Sequence, residues 1–201
     1  NDGAVGSFTG HVRIYEYSDS SFAWPQLGSD IDGEASNDKS GTSVSLNNVG
    51  DRVAIGAPFN DATGGSGGDA GHVRIYEFGD SVWAQIGLDI DGEATGDNSG
   101  NAVSLNNDGD RVAIGAIYND GNGNSAGHVR IYEYVITSSA WTQLGSDIDG
   151  ETFGDLSGHS LSMSSTGDRV AVGAHYNDAN GDSGSFIGHV RIYEYDNSSS
   201  S

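Results

Sequence analysis

The sequence predicts an all-β protein made of β-propeller-type repeats of four antiparallel strands, with about three to three-and-a-half blades in the chain. Three observations carry that prediction. The string Gly-His-Val-Arg-Ile-Tyr-Glu occurs four times, starting at Gly10, Gly71, Gly127 and Gly188. Asp-Ile-Asp-Gly-Glu starts at Asp30, Asp89 and Asp147, and Gly-Asp-Arg-Val-Ala-(Ile/Val)-Gly-Ala at Gly50, Gly109 and Gly167; the period is 58 to 59 residues, stretching to 61 where a loop is longer. Nowhere do apolar residues keep the helical spacing across a window of about eleven residues. A unit this long suits a propeller blade better than the shorter coil of a linear β-solenoid, which is the rival architecture. One unit cannot bury its faces alone, so neighbours must stack to make a core.

Each unit reads as four strands. Asn101 to Leu105 alternates small or polar with apolar residues. Asn106-Asn107-Asp108-Gly109 follows, a hairpin signal because Asn and Gly accept positive φ. Arg111 to Ala116 is the second strand, and its small residues Ala113, Gly115 and Ala116 allow close sheet-on-sheet approach. The third, Val129 to Tyr134, is rich in β-branched and aromatic residues, and the fourth is Trp141 to Gly145. Units can be cut near residues 1, 60, 119 and 177, which makes residues 1–195 a repeat array and 196–201 a Ser-rich linker or tail. The chain starts mid-loop and lacks a fourth Trp strand, so the expectation is a piece of a larger propeller or a ring closed by further blades or other chains.

Composition narrows the partners. The chain of 201 residues carries 29 acids and 8 bases, a formal charge of −21, with 32 glycines and no cysteine. This charge argues against phosphate-based nucleic-acid binding and against anionic membrane surfaces. No apolar run is long enough to insert into a bilayer. Without cysteine there is no disulfide framework, thiolate metal site or cysteine nucleophile. All seven arginines fall at two repeat positions, and Trp24, Trp83 and Trp141 share one. Residues that recur in every unit point to structure rather than catalysis.

The unit resembles the FG-GAP type of β-propeller repeat found in integrin α-subunit heads. Phe153-Gly154, Ser160-Leu161-Ser162, Gly167 to Ala174 and Gly188 to Tyr193 carry the match, and Gly56-Ala57-Pro58 reproduces its Gly-Ala-Pro element. The resemblance implies an extracellular or cell-surface location, adhesion or ligand binding, and often calcium. In that family an acidic calcium loop separates the first two strands of a blade. The corresponding turns here (47–51, 106–110 and 164–168) are too short for it, so those ligands do not carry over.

Two other stretches have calcium-like chemistry, since calcium takes six to eight oxygens from a glycine-permissive loop. The loop before Gly-His-Val offers Asp120, Asn122 and Asn124 in one unit and Asp178, Asn180 and Asp182 in the next, at alternate positions. A solvated Asx/Gly loop is the other reading of that spacing. The weaker candidate is Asp89, Asp91 and Glu93, where either a cation or a turn with Asp capping backbone amides would relieve carboxylate repulsion. Asp110 precedes Arg111 and Glu133 lies in the neighbouring strand, while Arg130 sits mid-strand, where it must either reach solvent or pair with a carboxylate of an adjacent strand or blade.

No nucleophile elbow, phosphate loop or zinc helix is present. His159 and His175, the histidines outside the repeated position, are candidate unique site residues or variable surface positions. The expectation is therefore no enzyme and no catalytic residue. The function expected is a structural or adhesive repeat module, calcium its one candidate cofactor, with a protein or glycan on a surface as partner. The alternative is a multivalent carbohydrate-binding propeller in which Trp24, Trp83 and Trp141 stack on sugar rings, against a reading of the same residues as blade packing.

Overall fold

A computed structural model describes residues 7–61, 68–178 and 187–196. Its described residues form β-strands, turns and bends with no helix. The first unit contributes β1 (His11–Val12) and β2 (Ile31–Asp32), with the bridges Tyr15↔Gln26 and Ser18↔Ala23 extending their pairing. The second sheet holds β3 (Ser43–Leu46), β4 (Arg52–Ala57), β5 (His72–Gly79) and β6 (Val82–Gln85) in that order, and β7 (Ile90–Asp91) also pairs with β5. The third repeats this with β8 (Ser99–Leu105), β9 (Arg111–Ala116), β10 (His128–Val135), β11 (Ala140–Gln143) and β12 (Ile148–Asp149). The fourth has β13 (Ser160–Met163), β14 (Arg169–Ala174) and β15 (His189–Glu194). Every pairing between these strands is antiparallel.

The chain thus has the expected all-β, propeller-type class of antiparallel four-strand sheets. Two details differ from the sequence reading. The cuts at 60, 119 and 177 fall between the second and third strands of a sheet, so each sheet is assembled from the end of one sequence unit and the start of the next. The Asp-Ile-Asp-Gly-Glu segment contains a fifth, two-residue strand: Ile90 faces Val73 and Ile148 faces Val129. Two residues are too few to show alternation, which is why the sequence alone reads a turn there.

The hairpins form where Asx-Gly chemistry places them. Gly109 adopts φ +67, and the Asn106 side chain accepts from the backbone of Asp110 and Arg111 at 3.1 and 3.0 Å while its amide donates to Asp110 at 2.7 Å. Arg111 then ties β9 to its neighbour β10 through Glu133, directly opposite it in register, at 2.7 Å.

No sheet has a core of its own. The apolar clusters lie between successive sheets. Val12, Ile14 and Ile31 meet Val53, Ile55 and Tyr76; Ala54, Val73 and Ile75 meet Val103, Leu105, Val112 and Ile114; Ala113 and Val129 meet Val170 and Val172. Main-chain contact reinforces the stacking. Ser45 Oγ accepts from Leu105 N at 3.0 Å, and Ser104 Oγ accepts from Met163 N at 2.9 Å. At the closest approach, glycine meets glycine: a Cβ on Gly56 would lie 2.0 Å from the Gly100 carbonyl oxygen, and one on Gly115 2.2 Å from that of Gly158. No side chain fits there.

Gly115→Ala is therefore expected to destabilise the chain by about 1–3 kcal/mol, the usual cost of overpacking. Gly79→Ala, which would meet nothing within 4 Å, is expected to change stability by less than about 0.5 kcal/mol. Urea denaturation of the two variants checks this, and equal stabilities would refute the close contact.

Candidate functional site

The repeated polar residues converge at the same joints. Alternation along β5 sends Val73 and Ile75 toward the third sheet and His72 and Arg74 back toward the first unit. Arg74 is 5% exposed; its Nη2 donates to the Asp32 carbonyl at 2.9 Å and its Nη1 lies 3.3 Å from Glu34 Oε1. Arg130 does the same one unit on, with the Asp91 carbonyl at 2.8 Å and Glu93 Oε1 at 3.4 Å. Arg191 pairs with Glu151. Each Gly-His-Val-Arg strand from the second unit onward thus holds the Asp-Ile-Asp-Gly-Glu segment of the unit before it. Arg13, with no preceding segment among the described residues, turns to Asp30 of its own unit at 2.7 Å. That pairing, with Gln26 donating as well, holds the Asp30 carboxyl at about 2.

Beside each arginine sits a histidine. His72 Nδ1 lies 3.9 Å from Glu34 Oε2 and 3.7 Å from Asp89 Oδ2; His128 Nδ1 lies 3.8 Å from Glu93 Oε2 and 4.0 Å from Asp147 Oδ2. Both imidazoles are 2% exposed or less. Burial first, then the neighbouring guanidinium, pushes each below its ordinary pKa of 6.5.

A second buried motif was invisible in the sequence. Asp38, Asp97 and Asp155 each accept from the side-chain amide of an asparagine 22 residues on, Asn60, Asn119 and Asn177, at 3.0, 3.0 and 2.9 Å. Their carboxylates also cap Ala35, Ala94 and Thr152 backbone amides. The asparagines at the unit cuts, Asn60, Asn119 and Asn177, are thus each one half of a structural hydrogen bond.

Among the described calcium candidates, Asp120, Asn122 and Asn124 have protein partners. Asp120 Oδ1 accepts from Ser125 N at 2.8 Å, and the Asn122 amide donates to the Gly150 and Glu151 carbonyls, so the two side chains are committed to the loop and to its neighbour. Asn124 Oδ1 lies beside Ser125 Oγ at 3.4 Å. Asp178 is half-buried, while Asn180 and Asp182 lie outside the described residues. Asp89, Asp91 and Glu93 do not converge either. Asp89 faces His72 of its own sheet, Glu93 reaches the following sheet, and Asp91 serves Arg130 through its carbonyl.

The tryptophans divide. Trp83 and Trp141 donate their indole N–H to the Leu27 and Ile86 carbonyls of the preceding unit at 2.9 and 3.0 Å, whereas Trp24 is 65% exposed beside Tyr17. His159 and His175, unrelated in repeat position, are brought together with ring centroids 4.0 Å apart, and Tyr176 stacks on the second at 4.2 Å.

No family model matches the chain, and no curated protein matches it either. Solved structures do. A provisionally assigned 6-phosphogluconolactonase from Bacteroides uniformis aligns with 94% of the chain and 50% of its own, at 8% identity and TM-score 0.55. A second, from Bacteroides fragilis, aligns with 92% and 44%, at 14% identity and TM-score 0.56. The WD40 repeats of RRP9 align with 85% and 43%, at 18% identity and TM-score 0.42. The chain spans half or less of the length of these neighbours. The expectation that the chain is no enzyme is overturned by this comparison, since the two neighbours with TM-scores above 0.5 carry an enzyme assignment. At such identities the likeness is one of fold, and lactonase activity is a statement about the neighbours.

The buried histidines set a pH dependence. The unfolded chain takes up a proton near 6.5 that folded His72 and His128 refuse, so stability is full above that pH and falls as pH drops toward the depressed folded values. In chelator-containing buffer the melting temperature is expected to fall between pH 7 and pH 5, and less steeply in His72→Gln/His128→Gln. An unchanged slope in that variant would remove these histidines as the cause.

Proposed function

We propose that the chain is a structural interaction module, a propeller sector that associates through exposed apolar sheet faces, in the adhesive setting that FG-GAP-type repeats imply. One observation carries this reading. Val190 and Ile192 on the last strand are 70% and 73% exposed, whereas the residues at the same repeat positions, Val73 and Ile75, are 0% exposed beneath the following sheet. On β3 of the second sheet, Val44 and Leu46 are 54% and 49% exposed, against 9% and 7% for Val103 and Leu105 on β8. Side chains of this size gain about 1.5–3 kcal/mol each on full burial. These are two apolar sheet faces of the kind that the interior covers with another sheet. In sedimentation velocity the isolated chain is expected to self-associate as concentration rises, and Ile192→Lys to shift it toward monomer without lowering its melting temperature. A monomer at all concentrations would defeat the reading.

A second reading, hydrolysis of an ester or lactone, is favoured by the His159–His175 pair. Partial desolvation and then the neighbouring His159 lower the pKa of the surface-exposed His175 from its ordinary value, toward the neutral form that acts as a general base. Hydrolysis of an aryl ester and of a sugar lactone, lost in His175→Ala, would support it; no turnover of either would dismiss it.

A further inference from the structure

We propose that the joints between units are transition-metal sites, each binding one zinc-class divalent ion through a glutamate of one unit and a histidine and aspartate of the next. The two complete sets are Glu34, His72 and Asp89, and Glu93, His128 and Asp147; in each, one ligand atom per residue lies within 4.8 Å of the others.

The carboxylates are held as ligands are. Each uses one oxygen on a protein donor and turns the other toward the imidazole. Glu34 gives Oε1 to Arg74 and aims Oε2 at His72; Glu93 gives Oε1 to Arg130 and aims Oε2 at His128. Asp89 and Asp147 accept from Gln85 and Gln143 on Oδ1, at 2.7 and 2.6 Å, and aim Oδ2 at the same Nδ1 atoms. Outer partners of this kind orient ligands around metal ions.

The His128 imidazole supplies an independent observation at its joint. His128 is 1% exposed and makes no hydrogen bond: its Nε2 has no partner, and its Nδ1 faces the two carboxylates at 3.8 and 4.0 Å, beyond hydrogen-bond reach. A buried imidazole left without partners is costly. Its neutral form presents a lone pair, the form that binds metal. Zinc–ligand bonds of about 2.0–2.2 Å place tetrahedral ligands roughly 3.5 Å apart, so a small inward rotation of the two carboxylate side chains completes the geometry. Those side chains are 33% to 46% exposed, which leaves them room to move and gives the ion, with water as its fourth ligand, a path from solvent.

The imidazole also selects the ion. Oxygen-only sites suit calcium and magnesium, while imidazole suits zinc, copper, iron and nickel. The third histidine–carboxylate set, His11, Asp30 and Asp32, is different because Arg13 engages both oxygens of Asp30. Among the described residues the chain is therefore expected to hold one ion at each of the two joints with a complete set, stapling successive units where no cysteine is present to do so.

The test is equilibrium dialysis of the chelator-treated chain against micromolar Zn²⁺, with metal analysis and thermal unfolding. Two ions per chain and a raised melting temperature are expected, with one ion in Asp147→Asn and none in Asp89→Asn/Asp147→Asn. No uptake, uptake unchanged in the double variant, or stabilisation by Ca²⁺ with none by Zn²⁺ would overturn the proposal. Should the variants fail to fold, the Co²⁺-loaded wild-type chain decides. Intense tetrahedral-type absorption supports the site, and a weak spectrum like that of aqueous Co²⁺ overturns it.

Discussion

Sheet-to-sheet contact is the constraint on which the rest of this structure depends. A four-stranded sheet with two apolar faces is not stable by itself in water. Among the described residues every apolar cluster is shared between successive sheets, so the sheets depend on one another for their cores. The closeness of the contact dictates the residues. Gly56 and Gly115 have no side chain because a carbonyl oxygen of the next sheet occupies that place. Ala54 and Ala113, both 0% exposed, flank them, and serine hydroxyls bridge to backbone amides where apolar packing leaves a donor facing inward.

The acidic charge follows from the same joints. Glu34, Glu93 and Glu151 reach forward to the arginine of the next unit, while Glu77 and Glu133 neutralise Arg52 and Arg111 across strands. Asp38, Asp97 and Asp155 are buried but hydrogen-bonded, which is the condition under which a carboxylate can be kept inside. The buried arginines serve register more than stability. A guanidinium reaching both a carbonyl and a carboxylate of the preceding unit permits only one alignment of the two sheets.

Neighbours of similar shape establish how far fold alone reaches. Two of them bear an enzyme assignment at 8% and 14% identity. Propellers host many functions on one architecture, so activity has to be argued from a site. Among the described residues, the histidine–carboxylate groupings lie at the repeated positions and the His159–His175 pair lies apart from them.

The sequence by itself determined the strand content, the hairpin turns and the period, because these rest on local chemistry: β-branched runs, Asx-Gly turns and a motif copied several times. It also offered carboxylate pairing as one reading of Arg111 and Arg130. Which partners was decided only by the tertiary structure. Glu133 lies opposite Arg111 in register, but Glu93 reaches Arg130 from another unit, 37 residues away in the chain. Spacing suggested that Asp89, Asp91 and Glu93 act together; the fold separates them, because a segment crossing between sheets shows its first acid to one joint and its last to the next. The same crossing gathers Glu34, His72 and Asp89 from three copies of two motifs. Local patterning sets how a strand alternates, and only the stacking of whole sheets sets what each face meets.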